Sequence, residues 1–139
     1  MSSELTTVNP YFLHDLIGPL SGRADDDDAV DKFSTLDPNN ERDVRDVIRQ
    51  MIVSYAKELS TRRRQRIRLA YQYYLSKPAV NFERVFESIL PPFDPPTDPR
   101  LFFIWVWEEC FPGDSYELTQ LNDFVEKPDA NETWQCDLQ

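Results

Sequence analysis

The chain has 139 residues, 40% of them apolar and 13% aromatic, and its 15 basic and 25 acidic side chains leave a net charge of −10. That length supports one domain with a sizeable core and makes two domains marginal. The acid excess repels polyanions and argues against a general phosphate-backbone binder, while three glycines beside eleven prolines argue against a hairpin-rich β fold.

Three Asx-Pro pairs, Asn9-Pro10, Asp37-Pro38 and Asp98-Pro99, each read as a helix start. An Asx side chain accepts from an orphan backbone N–H, and a proline in the first turn has no N–H to leave unpaired. After Asn9 a short helix is expected over 10–17, stopped by Gly18-Pro19. The four aspartates Asp25, Asp26, Asp27 and Asp28 repel one another and read as a loop leading into a turn near 29–33.

Beyond Asp37-Pro38 the apolar spacing becomes regular. Val44, Val47, Ile48, Met51, Ile52, Tyr55 and Leu59 recur at i, i+3, i+4, i+7, the mark of an amphipathic helix. Neither glycine nor proline interrupts the run up to Leu75, so one long helix over 38–76 is expected. It has a kink near 60, where Ser60 offers an alternative cap for a separate helix. Asn81 then caps a helix over 82–90 with Phe82, Val85, Phe86, Ile89 and Leu90 on one face, and the prolines from Pro91 to Pro96 form an extended strap.

Leu101 to Trp107 is an uninterrupted apolar run of seven residues. A segment apolar all round belongs inside a coat of other elements. Its aromatic and β-branched content also suits a buried strand; the Asp98-Pro99 start and the Glu108-Glu109 ending point to a helix over 99–110. Asp114 with Glu117 resembles a capping box, and Leu118, Leu121, Phe124 and Val125 complete a last helix over 115–127. The expected architecture is all-α: one compact helical domain, residues 1–127, with five or six helices around the long amphipathic helix and the apolar central one. Residues 128–139 read as a tail that docks, if at all, through Trp134.

Charge is segregated along the chain. Residues 60–77 hold six bases and no acid, residues 1–59 six bases and twelve acids, and residues 78–139 three bases and thirteen acids. Arg62, Arg63, Arg64, Arg66 and Arg68 crowd one helix, where like charges at i, i+4 cost about 0.2–0.5 kcal/mol per exposed pair. The plainest expectation is that Asp25 to Asp28 and the acidic C-terminal half lie across this band and offset it. A second reading gives Asp25–Asp28 and Arg62–Arg68 to a partner surface, with a basic protein as the partner. A third has the arginines contact nucleic acid, with Tyr71, Tyr73 and Tyr74 stacking on bases.

Carboxylate pairs such as Glu108-Glu109 and Asp43/Asp46 occur on most acidic helices, and no nucleophile motif or glycine-rich phosphate loop accompanies them. One histidine and two cysteines make neither a zinc site nor a disulfide framework, with Cys110 expected in the core and Cys136 exposed in the tail. No cofactor is expected. No basic start or long apolar run opens the chain, and seven apolar residues fall short of the ~20 that span a bilayer, so no membrane and a cytoplasmic location are expected. In physical class this is the profile of small acidic inhibitors and adaptors, bacterial immunity proteins and phage-encoded inhibitors among them, which bind without catalysis. The long helix also offers a surface for homodimerisation.

Overall fold

The computed structural model describes residues 5–136 and is mostly helical, with one small parallel sheet. The chain begins with β1 (Thr6–Val8) and passes through the buried Asn9 into α1 (Tyr11–Leu16), stopped as expected at Gly18-Pro19. The aspartate run leads into α2 (Asp27–Lys32), where the Asp26 carboxylate caps the backbone N–H groups of Asp28 and Ala29. Asp27 and Asp28 then sit in the first turn, where the helix dipole favours negative charge.

The long helix expected over 38–76 is two helical segments. Asp37 makes an Asx turn instead, accepting from Asn39 N at 2.9 Å, and Asn40 caps α3 (Glu41–Val47). The helix widens through a π-helical stretch (Ile48–Val53) and continues as α4 (Ser54–Glu58). The buried residues here are Val44, Ile48, Ile52 and Ala56, a spacing of four. On a regular α-helix that spacing drifts by about 40° per step, and a π turn restores the phase, so the widened stretch keeps all four against the core. At Leu59 and Ser60 the backbone turns extended, with ψ of 152° and 154°, and the Ser60 hydroxyl caps α5 (Thr61–Ser76) by accepting from Arg63 N.

The α6 helix (Phe82–Ser88) is capped by Asn81, and α7 (Pro99–Cys110) by Asp98, as their sequences direct. Within α7, Phe102, Phe103, Trp105, Val106 and Trp107 are buried, Ile104 is half-buried and Leu101 reaches the surface. The π-helical stretch, α3, α5 and α6 pack around it. An aromatic cluster runs from Tyr71 through Phe103 and Phe102 to Phe86 and Phe93, with successive ring centroids 4.9–6.2 Å apart.

Residues 115–127 form no α-helix. After α7 the chain lies open along α5 and α7. Leu118 N donates to the Ser76 hydroxyl, which itself donates to Tyr116 O, and Trp107 Nε1 donates to Asp114 O. These bonds satisfy the backbone without a helical ladder. The segment then forms β2 (Phe124–Glu126), paired in parallel with β1 in the register Thr6–Phe124, Thr7–Val125, Val8–Glu126. Leu118, Leu121 and Phe124 still face the core, so the apolar pattern was satisfied by an extended chain.

The C-terminal segment carries a short α8 (Glu132–Gln135). It is held by Asn9, whose Nδ2 donates to Asp129 O and Glu132 Oε1 and whose Oδ1 accepts from Tyr11 N and Asp129 N. Trp134 remains 51% exposed, whereas Cys136 is buried, the reverse of what their position in a polar tail implied.

Leu90, just past α6, adopts φ +54° with a side chain 56% exposed. An L-residue in the left-handed region costs about 1–2 kcal/mol, partly offset by the ~0.5–1 kcal/mol of chain entropy that glycine loses on folding. Leu90→Gly is therefore expected to stabilise by about 0.5–1 kcal/mol, read as a raised urea midpoint at unchanged slope. A lowered midpoint would mean that the leucine side chain contributes more than its backbone costs.

Candidate functional site

The arginine-rich helix is neutralised from within, though not by the aspartate run. Arg63 donates from Nε and Nη2 to the Asp15 carboxylate at 2.7 and 2.6 Å, and Tyr55 donates its hydroxyl to the same group at 2.8 Å. Arg66 reaches Glu132 and Thr7 O, both at 3.1 Å, with its guanidinium 5.8 Å from the Phe12 ring. Arg68 lies 3.4 Å from Asp114 and over the Trp107 ring. The helix thereby ties α1, α8 and the segment after α7 into one body, and its charge serves the fold. Arg62 and Arg64 are exposed near its N-terminus.

The tyrosines that follow are core and anchor residues. Tyr71 is fully buried and donates to Leu13 O at 3.2 Å; burial pushes its phenol well up. Tyr74 and Lys77 both donate to Glu126 at 2.7 Å, pinning β2 to α5. Partial burial raises the Glu126 carboxyl, but the Lys77 and Tyr74 hydrogen bonds outweigh it and hold the group below its ordinary range.

The carboxylate pairs resolve into a second ion network. Arg45 meets Glu41, Glu108 and Glu109, and Arg49 meets Asp46 and Glu109. Burial raises the Glu109 carboxyl, yet Arg49 and Arg45 together depress it, so it stands ionised as a strut between α3 and α7. The Cys110 thiol is pushed up to about 12 by burial, which makes it a poor nucleophile at neutral pH. Among the described residues, no three or more His, Cys, Asp or Glu side chains are placed to hold a metal ion, and no helix is long and apolar enough to cross a membrane.

One group of exposed acids is drawn together by α2 and its neighbours. Asp25, Asp26, Asp27, Asp28 and Asp31 are all exposed on α2 and its lead-in. That segment lies against the end of α6 and the proline strap: Gly22 N donates to Ile89 O at 2.7 Å, and the Phe33 and Phe93 rings stand 5.3 Å apart. The exposed Glu87 and Asp94 come from those neighbouring elements. Together residues 21–33 and 87–96 hold seven acids and two bases, Arg23 and Lys32. Arg23 pairs with Asp26 at 3.8 Å, and the Lys32 amine sits over the Phe33 ring. Among the described residues, Asp25, Asp27, Asp28 and Asp31 enter no ion pair. Two exposed apolar side chains, Val30 and Leu90, stand within this acidic area.

Sequence reasoning named Asp25–Asp28 and Arg62–Arg68 together. The structure gives Arg63, Arg66 and Arg68 partners on α1, α8 and the segment after α7, and places the aspartates beside the strap. It adds Asp31 from the same helix, and Glu87 and Asp94, which the Gly22–Ile89 hydrogen bond and the Phe33–Phe93 ring contact bring alongside. A comparison with protein-family models finds no match, and neither curated proteins nor solved structures match the chain significantly.

Proposed function

We propose that this protein is a non-catalytic binding module that engages a basic protein partner, acting as an inhibitor or adaptor, through the face built by α2, the end of α6 and the proline strap. The observation that carries this reading is the separation of charge by use. Arg63, Arg66 and Arg68 of α5 pair with Asp15, Glu132 and Asp114 within the fold, while Asp25, Asp27, Asp28 and Asp31 are exposed and, among the described residues, enter no ion pair. Such a surface raises the encounter rate with a cationic partner and fixes its orientation, and Val30 and Leu90 offer apolar anchors inside the charged rim. The same internal pairing leaves Arg63, Arg66 and Arg68 little capacity for phosphate, so the face that remains is the acidic one.

The test is affinity capture at 50 and 300 mM salt, with association rates measured on the captured partner. Wild type is expected to retain a basic protein at the lower salt and release it at the higher. Replacing Asp25, Asp27, Asp28 and Asp31 by Asn should slow association about tenfold or more, while Arg62→Ala with Arg64→Ala leaves it unchanged. Binding that ignores salt, or that depends on the two arginines instead, would overturn the assignment.

A further inference from the structure

We propose that the cleft between α1 and α6 is a small-molecule site for an apolar monocarboxylate, with the carboxylate held at Arg84 and the hydrocarbon laid along the cleft walls. The cleft is an open groove of about 850 Å³, a volume within the range of sites that hold drug-sized ligands. Tyr11, Val85, Ile89 and Pro128 supply apolar wall, and Arg84 and His14 are its basic lining groups. Tyr11 and His14 are three apart on α1, and Arg84, Val85 and Ser88 fall at helical spacing on α6, so each helix turns one stripe toward the same space.

Two observations select the ligand class. The first is Arg84. Arg45, Arg49, Arg63, Arg66 and Arg68 each meet a carboxylate, but among the described residues the exposed Arg84 side chain, like Arg42, Arg64 and Arg100 outside this cleft, enters no ion pair. A guanidinium at the mouth of an apolar cleft, on a chain of net charge −10, is the one feature of this cleft that attracts an anion. The second is His14. Its Nδ1 is shut away from solvent without a hydrogen-bond partner. An acceptor left unpaired is better tolerated than an orphaned N–H, which places the ring proton on Nε2 and leaves it able to donate. One permanent cation and one neutral donor match a single negative charge. A polyanion such as a nucleotide would need more cations and would meet the repulsion of the whole chain.

The probes are 4-phenylbutyrate, 4-phenylbutan-1-ol and 4-phenylbutylamine, which share one hydrocarbon and differ in the polar end. Binding is followed on the full chain by amide chemical shifts. The acid is expected to shift Tyr11, His14 and Val85 and to bind about tenfold tighter than the alcohol, with the amine weakest. Arg84→Gln should bring the acid down to the alcohol's affinity, and Val85→Trp, which fills the cleft from an already half-buried position, should abolish both while the far-UV spectrum stays unchanged. Equal affinity for all three probes, an acid indifferent to Arg84→Gln, shifts confined to other residues, or no shift at ~10 mM acid would each overturn the proposal. The cleft adjoins the acidic face at Ser21, Ser88 and Ile89, but none of Asp25, Asp27, Asp28 and Asp31 lines it, so the aspartate and Arg84 variants let either reading fail alone.

Discussion

Trp107→Ala is expected to cost about 3–5 kcal/mol, a large share of the ~5–15 kcal/mol that holds a domain of this size together. Trp107 is 1% exposed, lies 4.6 Å from the Phe111 ring, and donates from Nε1 to Asp114 O at 3.0 Å. Truncation removes the more deeply buried of the two tryptophans of the central helix and opens a cavity its neighbours cannot close, because α7 is ringed by helices that rest on one another. It also frees the carbonyl that starts the extended segment leading to β2. Thermal unfolding should drop by about 10 °C or more, with Trp107→Phe falling between wild type and the alanine variant. A loss under ~1 kcal/mol would mean that the apolar run is not sequestered, and the architecture would fall with it.

Asp15→Ala is the second large effect, expected at about 3–5 kcal/mol. The Asp15 and Arg63 side chains are only 5% and 15% exposed, so removing the carboxylate takes two charge-assisted hydrogen bonds from a largely buried guanidinium and one from the Tyr55 hydroxyl. Arg63→Ala should cost a comparable amount by stranding the carboxylate. Replacing both at once, Asp15→Leu with Arg63→Met, removes the charges together and should return stability to within about 1–2 kcal/mol of wild type. Urea denaturation of the four proteins measures the coupling. Additive single effects would show that the pair is screened by solvent and contributes no coupling between α5 and α1.

These expectations rest on features of unequal legibility. The central helix could be read from its own residues: Asp98 and Pro99 start it, Phe102 to Trp107 can only be inside, and Pro112-Gly113 follows its end. The cap of α6 by Asn81 and the separate cap of α5 by Ser60 were also written locally, although an unbroken apolar rhythm through Leu59 favoured one long helix over two. The π-helical stretch was not legible, because Val47, Met51 and Tyr55 fill out an ordinary helical period and the spacing of four shows only in the buried subset Val44, Ile48, Ile52 and Ala56.

Residues 115–127 misled because their apolar period suits a helix while the backbone found other partners. Ser76 on α5 and the edge of β1, more than a hundred residues away in the chain, captured it. Asn9 is the sharper case. Its sequence context announced a helix cap, and its Oδ1 does accept from Tyr11 N, but its amide also binds the chain near Asp129 and Glu132. No local pattern marks the far end of such a bond. The same holds for Arg63, Arg66 and Arg68, whose crowding was visible and whose carboxylates were not.

The stop after α1, the starts of α6 and α7 and the identity of the buried run follow from the amino-acid sequence alone, since caps, proline stops and apolar period act within a few residues. Which acids neutralise α5, which acids are left facing water, the pairing of β1 with β2 and the cleft between α1 and α6 were decided only in the tertiary structure. Each depends on a contact between residues far apart in the chain, and composition permits many such pairings without choosing among them.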